Sequence, residues 1–156
     1  MSKGELLAAL QVSGVELNEY GHLLFANDKF TTAPSVSRLK TVEISVEELG
    51  FAQGATFAEL CGRAAELGLS LCQLEVGPHL RLQYLDQLEG AVGFPLTQHR
   101  APPGSITVAS DPIATDDETP KGFYLRRING VLWLRGYCAG ADNVWYPEDR
   151  LVFCRE

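Results

Sequence analysis

The sequence predicts an α+β fold: a mostly antiparallel β-sheet with one main amphipathic helix, at about residues 56–67, packed on one face. Three observations carry that expectation. A capped and striped helix begins at Thr56, an Asn129-Gly130 pair marks a tight hairpin, and several segments alternate apolar with polar residues. The chain has 156 residues, 46% of them hydrophobic and 21% charged. That composition suits a single globular domain over residues 1–156, able to bury a core without disulfide staples.

Taken in order, Gly4 to Leu10 is rich in helix formers, with Leu6, Leu7 and Leu10 on one face. Val15 to Glu19 alternates as a strand does. Tyr20-Gly21 offers a turn, and His22-Leu23-Leu24-Phe25 reads as the returning strand. Residues 27–37 are polar, include Pro34, and read as a loop. From Thr41 to Glu47 the pattern alternates again, with Val42, Ile44 and Val46 on one side of a half-buried strand.

Thr56 followed three residues later by Glu59 is a capping box, in which each side chain satisfies a free backbone N–H of the first helical turn. Phe57, Leu60, Cys61, Ala64 and Leu67 then recur at helical spacing, and Gly68 ends the helix. Glu59, Arg63 and Glu66 fall on its solvated side. Leu69 to Val76 reads as a strand that Gly77-Pro78 interrupts. Leu80, Leu82 and Tyr84, alternating with Arg81 and Gln83, read as another. Residues 86–104 form a surface loop by composition, 105–110 a further strand, and 111–120, with Asp116-Asp117-Glu118, an acidic loop.

Asn-Gly is the preferred pair for a two-residue type I′ turn, and a turn of that length sets the register of the strands beside it. Ile128 then faces Val131, Arg127 faces Leu132, Arg126 faces Trp133, Leu125 faces Leu134, and Tyr124 faces Arg135. Phe123, Leu125, Leu132 and Leu134 make an apolar face for the core. Tyr124, Arg126, Trp133 and Arg135 make the opposite face, each arginine across from an aromatic ring. A loop with two exposed-type aromatics, Trp145 and Tyr146, leads to a last strand at Leu151-Val152-Phe153-Cys154.

Several functions lack their signatures. Acids outnumber bases 20 to 13, for a net charge of −7 and a pI near 5.0. With no run of basic residues, nucleic acid is not expected as a partner. No phosphate-binding loop, Gly-x-Ser-x-Gly elbow or His-Glu-x-x-His helix occurs. Cys61, Cys72, Cys138 and Cys154 contain no Cys-x-x-Cys pair and no histidine at a zinc-ligand offset, so neither a metal nor another cofactor is expected. Cys61 and Cys154 read as small buried hydrophobes. No signal-peptide pattern or membrane-spanning run appears, and the expected location is the cytoplasm.

What remains are candidates with two readings each. His22, His79 and His99 sit beside turns or loops, as surface or structural histidines. One of them beside Cys72 or Cys138 would form a nucleophilic pair. Asp142, Glu148 and Asp149 cluster near Trp145. They suit an acid–base pair for glycoside cleavage, or a turn at Asp142-Asn143 followed by a helical turn at Pro147-Glu148-Asp149. On the hairpin, arginine over aromatic either covers a solvent-facing sheet or offers a planar cationic surface to a carboxylate, a phosphate or an acidic loop.

The leading expectation is a non-enzymatic protein-interaction module, of accessory or immunity type, whose partner is another protein. Its binding residues would be Tyr124, Arg126, Trp133, Arg135, Asp142 and Trp145. The alternative is a small hydrolase using carboxylates of the 142–149 loop, and a homodimer through the hairpin face is a third possibility. At Leu80-Arg81-Leu82-Gln83-Tyr84, and from Leu132-Trp133-Leu134 through Asp142-Asn143-Val144-Trp145 to Phe153, the chain is similar to a group of short bacterial proteins of unknown function. Some of these carry a helicase label, which the missing phosphate loop and basic track contradict here. The resemblance implies a bacterial, cytosolic setting and no mechanism.

Overall fold

The Asn129-Gly130 turn is the best place to enter the computed structural model, which describes residues 1–90, 104–116 and 118–155. Asn129 and Gly130 both take positive φ, 52° and 77°, as a type I′ turn requires. They join β6 (Gly122–Ile128) to β7 (Val131–Tyr137), and the register runs from Ile128 opposite Val131 to Gly122 opposite Tyr137, as the sequence predicts. Glu89 caps this turn by accepting the Asn129 and Gly130 N–H groups at 2.9 and 2.5 Å, and it pairs with Arg127 at 3.4 Å.

The hairpin belongs to a larger sheet. With β1 (Glu16–Leu17), β2 (Lys40–Ser45), β4 (Leu69–Ser70), β5 (Ile106–Val108) and β9 (Arg150–Arg155) it forms seven strands in the order β1-β7-β6-β5-β9-β2, with β4 also pairing to β9. The sheet is mixed: β1 lies parallel to β7 and β5 parallel to β9, while the other pairings are antiparallel. A separate two-stranded ribbon joins β3 (Ala55–Thr56) to β8 (Val144–Trp145).

Each face of this sheet carries a core. Neighbouring side chains of a strand point to opposite faces, so β9 serves two cores at once. Val152 packs with Phe123, Leu125 and Leu134 under α1 (Lys3–Val12), α2 (Glu19–Ala26) and α4 (Val76–Gln83), which supply Leu6, Leu10, Leu24, Phe25 and Val76. Leu151 and Phe153 pack on the other side with Leu60 and Ala64 of α3 (Phe57–Glu66), and with Trp145 of β8. In the first core the rings of Phe25, Phe30 and Phe123 meet pairwise at 5.2–5.9 Å.

The capped helix forms as expected. The Glu59 N–H donates to Thr56 Oγ1 at 3.3 Å, and the Thr56 N–H returns the bond to Glu59 Oε1 at 3.0 Å. Leu60 and Ala64 carry its buried stripe and Gly68 takes a φ of 78°, but Leu67 lies past the last turn and is exposed.

Two expected strands are helices. His22 to Phe25 belongs to α2, because Asn18 caps that helix and also fastens it to the sheet. Its Oδ1 accepts the N–H groups of Gly21 and Gly136, each at 2.8 Å, and its Nδ2 donates to the Gly136 carbonyl at 3.0 Å. Gly136 has to be a glycine for this approach, since a Cβ there would lie 2.7–2.9 Å from the backbone of Tyr20 and Gly21.

The second correction concerns residues 69–84. Strand β4 stops at Ser70, and Leu80 to Gln83 lie in α4, with Pro78 in its first turn, where the missing N–H is harmless. Gly77 allows α4 to press on Phe123, whose side chain would sit 2.9 Å from an added Cβ. Arg81, fully buried beneath the hairpin, donates to Gln87 Oε1 at 2.6 Å, to the Trp133 carbonyl at 3.2 Å, and to the Tyr84 carbonyl. Burial lowers its pKa to about 10.

Among the cysteines, Cys72 is buried, while Cys61 and Cys154 are half-buried rather than core residues. The Cys72 and Cys154 sulfurs stand 2.9 Å apart, Cys154 on β9 and Cys72 just past the end of β4. His99, Asp117 and most of the expected 86–104 loop lie outside the described residues. No helix among the described residues is long and apolar enough to cross a membrane.

Candidate functional site

The hairpin face opposite the α1/α2/α4 core carries Tyr124 and Arg126 from β6 and Trp133, Arg135 and Tyr137 from β7. Arg135 is its centre. The guanidinium lies 4.9 Å from the ring centroid of Trp133, two residues earlier on its own strand, and 5.9 Å from that of Tyr124 across the ladder. Its Nε–H donates to Tyr124 Oη at 2.7 Å. Arg126 stands opposite Trp133, with a buried Nε that makes no hydrogen bond. Partial burial lowers the pKa of Arg126; the neighbouring Tyr124 opposes that shift and the Arg135 charge reinforces it.

Three other arginines find acids: Arg63 meets Glu66 at 2.9 Å, Arg127 meets Glu89 at 3.4 Å, and Arg150 meets Glu43 and Glu48 at 3.2 and 3.3 Å. Among the described residues no carboxylate pairs with Arg126 or Arg135.

The rings continue along this same face into the second core. Tyr124 and Tyr137 are 6.4 Å apart, Tyr137 meets Trp145 edge-on at 5.8 Å, and Trp145 lies 6.5 Å from Phe57 of α3. Trp145 is thus not the exposed loop aromatic that the sequence suggests. Pairing of β3 with β8 folds it into the second core, where it is 5% exposed.

Phe57, Tyr137 and Trp145 end the row as walls of a cavity of about 300 Å³, completed by Lys121 and by small residues that include Ala139 and Gly140. Burial raises the pKa of the Tyr137 hydroxyl well above its ordinary value. Sequence reading missed Tyr137, Phe57 and Lys121 as site residues. Tyr137 was within reach, because it continues the alternation of Trp133 and Arg135 along β7. The cavity was not, because it depends on the β3–β8 pairing.

The acids near Trp145 divide. Asp142 is exposed on a turn just after Ala139, Gly140 and Ala141, which line the cavity. Glu148 is exposed as well, whereas Asp149 is buried and its Oδ2 accepts the Tyr146 N–H at 2.8 Å. Residues 147 and 148 form a turn and no helix begins there. His22 is exposed on α2, and His79 faces Glu75 at 3.7 Å within α4. Burial pushes the Cys61 thiol up to about 11 and raises Cys72 and Cys138 as well. A nucleophilic thiol needs the opposite shift. No group of three or more His, Cys, Asp or Glu among the described residues is placed to hold a metal ion.

No protein-family model, curated protein or solved structure matches this chain. The resemblance noted at residues 80–84 and 132–153 therefore rests on the sequence alone.

Proposed function

We propose that this protein is a non-enzymatic interaction module that binds an acidic segment of another protein through Tyr124, Arg126, Trp133 and Arg135. The observation that carries this reading is the state of Arg135: stacked against two rings, oriented by Tyr124 Oη at 2.7 Å, and without a carboxylate partner among the described residues. A guanidinium already held in place loses little side-chain entropy on binding, and its planar fork matches a carboxylate. Arg126 lies beside it, giving an acidic chain two positive groups on one face.

The hydrolase alternative draws less support. Asp149 closes a turn with its carboxylate and is buried, and Asp142 stands on an exposed turn. Trp145, now a wall of the second core, contributes to the proposed interface only through Tyr137.

Affinity capture from a lysate of the source organism tests the proposal, with the Arg126→Glu/Arg135→Glu variant alongside and cross-linking to locate the contact. The expected result is a partner that elutes with salt, cross-links near the hairpin through an acidic segment, and is lost by the folded variant. A partner retained equally by the folded variant, or one cross-linked elsewhere, would overturn it.

A further inference from the structure

We infer that the cavity between α3, β8, residues 110–115 and Lys121 is a binding site for a small aromatic carboxylate. This goes beyond the interaction surface proposed above and does not depend on it. The cavity holds about 300 Å³, at the small end of the range for ligand pockets. That size suits one ring system bearing a short acid group. Phe57, Tyr137 and Trp145 present aromatic surface from three sides of the fold, the helix α3 and the strands β7 and β8. Aromatic faces and edges favour another ring over an aliphatic chain.

Lys121 supplies the charge. Its ammonium has three N–H donors; two go to the backbone carbonyls of Ala114 and Asp116, the first at 2.9 Å. No carboxylate pairs with it among the described residues. A cation in a mostly apolar wall is thus held in place by neutral carbonyls, with its charge facing no carboxylate among the described residues. The walls are also incompletely satisfied by the protein: Trp145 Nε1 and Ser110 Oγ are buried without a hydrogen-bond partner. Such atoms are exceptions in folded proteins.

Fluorescence titration tests the inference. Trp133 and Trp145 are the two tryptophans of the chain, so in the Trp133→Phe variant the emission reports on the cavity wall alone. The probes are indole-3-acetate and benzoate, each beside its neutral counterpart, indole or benzyl alcohol. The expected result is a saturable change in Trp145 emission with at least one acid, weaker with its neutral counterpart. An added Lys121→Met should weaken that acid by at least about tenfold, the scale of one charge-assisted hydrogen bond, and leave the neutral probe unchanged. Ala139→Leu, which reduces the cavity without touching Lys121, should weaken acid and neutral probe together. Three outcomes would overturn the inference: no saturable change with either acid at millimolar concentration, equal affinity for acid and neutral probe, or unchanged acid binding in a folded Lys121→Met variant.

Discussion

Removing the Asn18 side chain should loosen the joint between α2 and the sheet by an amount the structure lets us work out. Asn18→Ala deletes the cap of α2, whose acceptor holds the Gly21 N–H at 2.8 Å. Losing an N-cap typically destabilises by about 1 kcal/mol. The change also strands the N–H and C=O of Gly136, a buried residue, which the Asn18 amide satisfies at 2.8 and 3.0 Å. Each stranded group adds about 1–2 kcal/mol. The sum is about 3–5 kcal/mol, or a fall in Tm of roughly 10 °C for a domain of this size. Asn18→Ser separates the two parts, since serine caps as well as asparagine but is too short to bridge to Gly136. It should recover only the cap, about 1 kcal/mol, relative to alanine. Urea denaturation followed by circular dichroism measures both variants, with an unchanged m-value expected. A loss of under about 1 kcal/mol for Asn18→Ala would refute the reasoning, because the two Gly136 groups would then need no protein partner.

Acid should weaken the capped helix in a way that Glu59→Gln removes. The backbone and hydroxyl bonds from Thr56 hold the exposed Glu59 carboxyl below its ordinary value of 4.5. The stability this adds is present above the ordinary value and is lost as the pH falls through the lowered one, so the glutamine variant should show a flatter stability profile below about pH 4.5. Arg81→Met should destabilise by about 2 kcal/mol or more, as the carbonyls of Trp133 and Tyr84 and the oxygen of Gln87 lose their donor. A more stable methionine variant in thermal melts would show that desolvating the charge outweighs those bonds. Oxidised glutathione should draw Cys72 and Cys154 into one disulfide, the two protein thiols giving up their hydrogens as the glutathione disulfide is reduced to two thiols. Intact mass and peptide mapping read the product, which should raise stability by about 2–4 kcal/mol. Because burial raises the Cys72 thiol pKa, the reaction should be slow at neutral pH and quicken as the pH rises; glutathione left attached to either cysteine would count against the pairing.

What could be read in the sequence was what neighbouring residues decide among themselves. Asn129-Gly130 sets a register that holds over seven residues of each strand, and with it the common face of Tyr124, Arg126, Trp133 and Arg135. Thr56 and Glu59 announce α3 for the same reason, since the capping bonds span three residues. The misread segments are those settled by distant partners. Val15 to Phe25 has the apolar pattern of a hairpin, yet Asn18 caps a helix there and ties it to Gly136 across the fold. Leu80, Leu82 and Tyr84 alternate as a strand would, but residues 80–83 lie on α4, whose Arg81 is buried against Trp133 and Gln87. Trp145 looked like a surface aromatic because nothing near it in sequence shows that Ala55 and Thr56 come alongside. The cavity inherits that blindness, as its walls come from α3, β7, β8, residues 110–115 and Lys121.

The place of β9 sets a timetable for the fold. Of the described strands it is made last, yet it lies inside the sheet, with β5 and β4 on one side and β2 on the other. During synthesis β2 and β5 must wait as unpaired edges until residues 150–155 leave the ribosome, and the two cores cannot close before Leu151, Val152 and Phe153 arrive between them. Pairings as distant as Lys40 with Arg155 also place this chain among slowly folding topologies. The nascent protein therefore passes through a period with exposed strand edges, when it is most prone to aggregate.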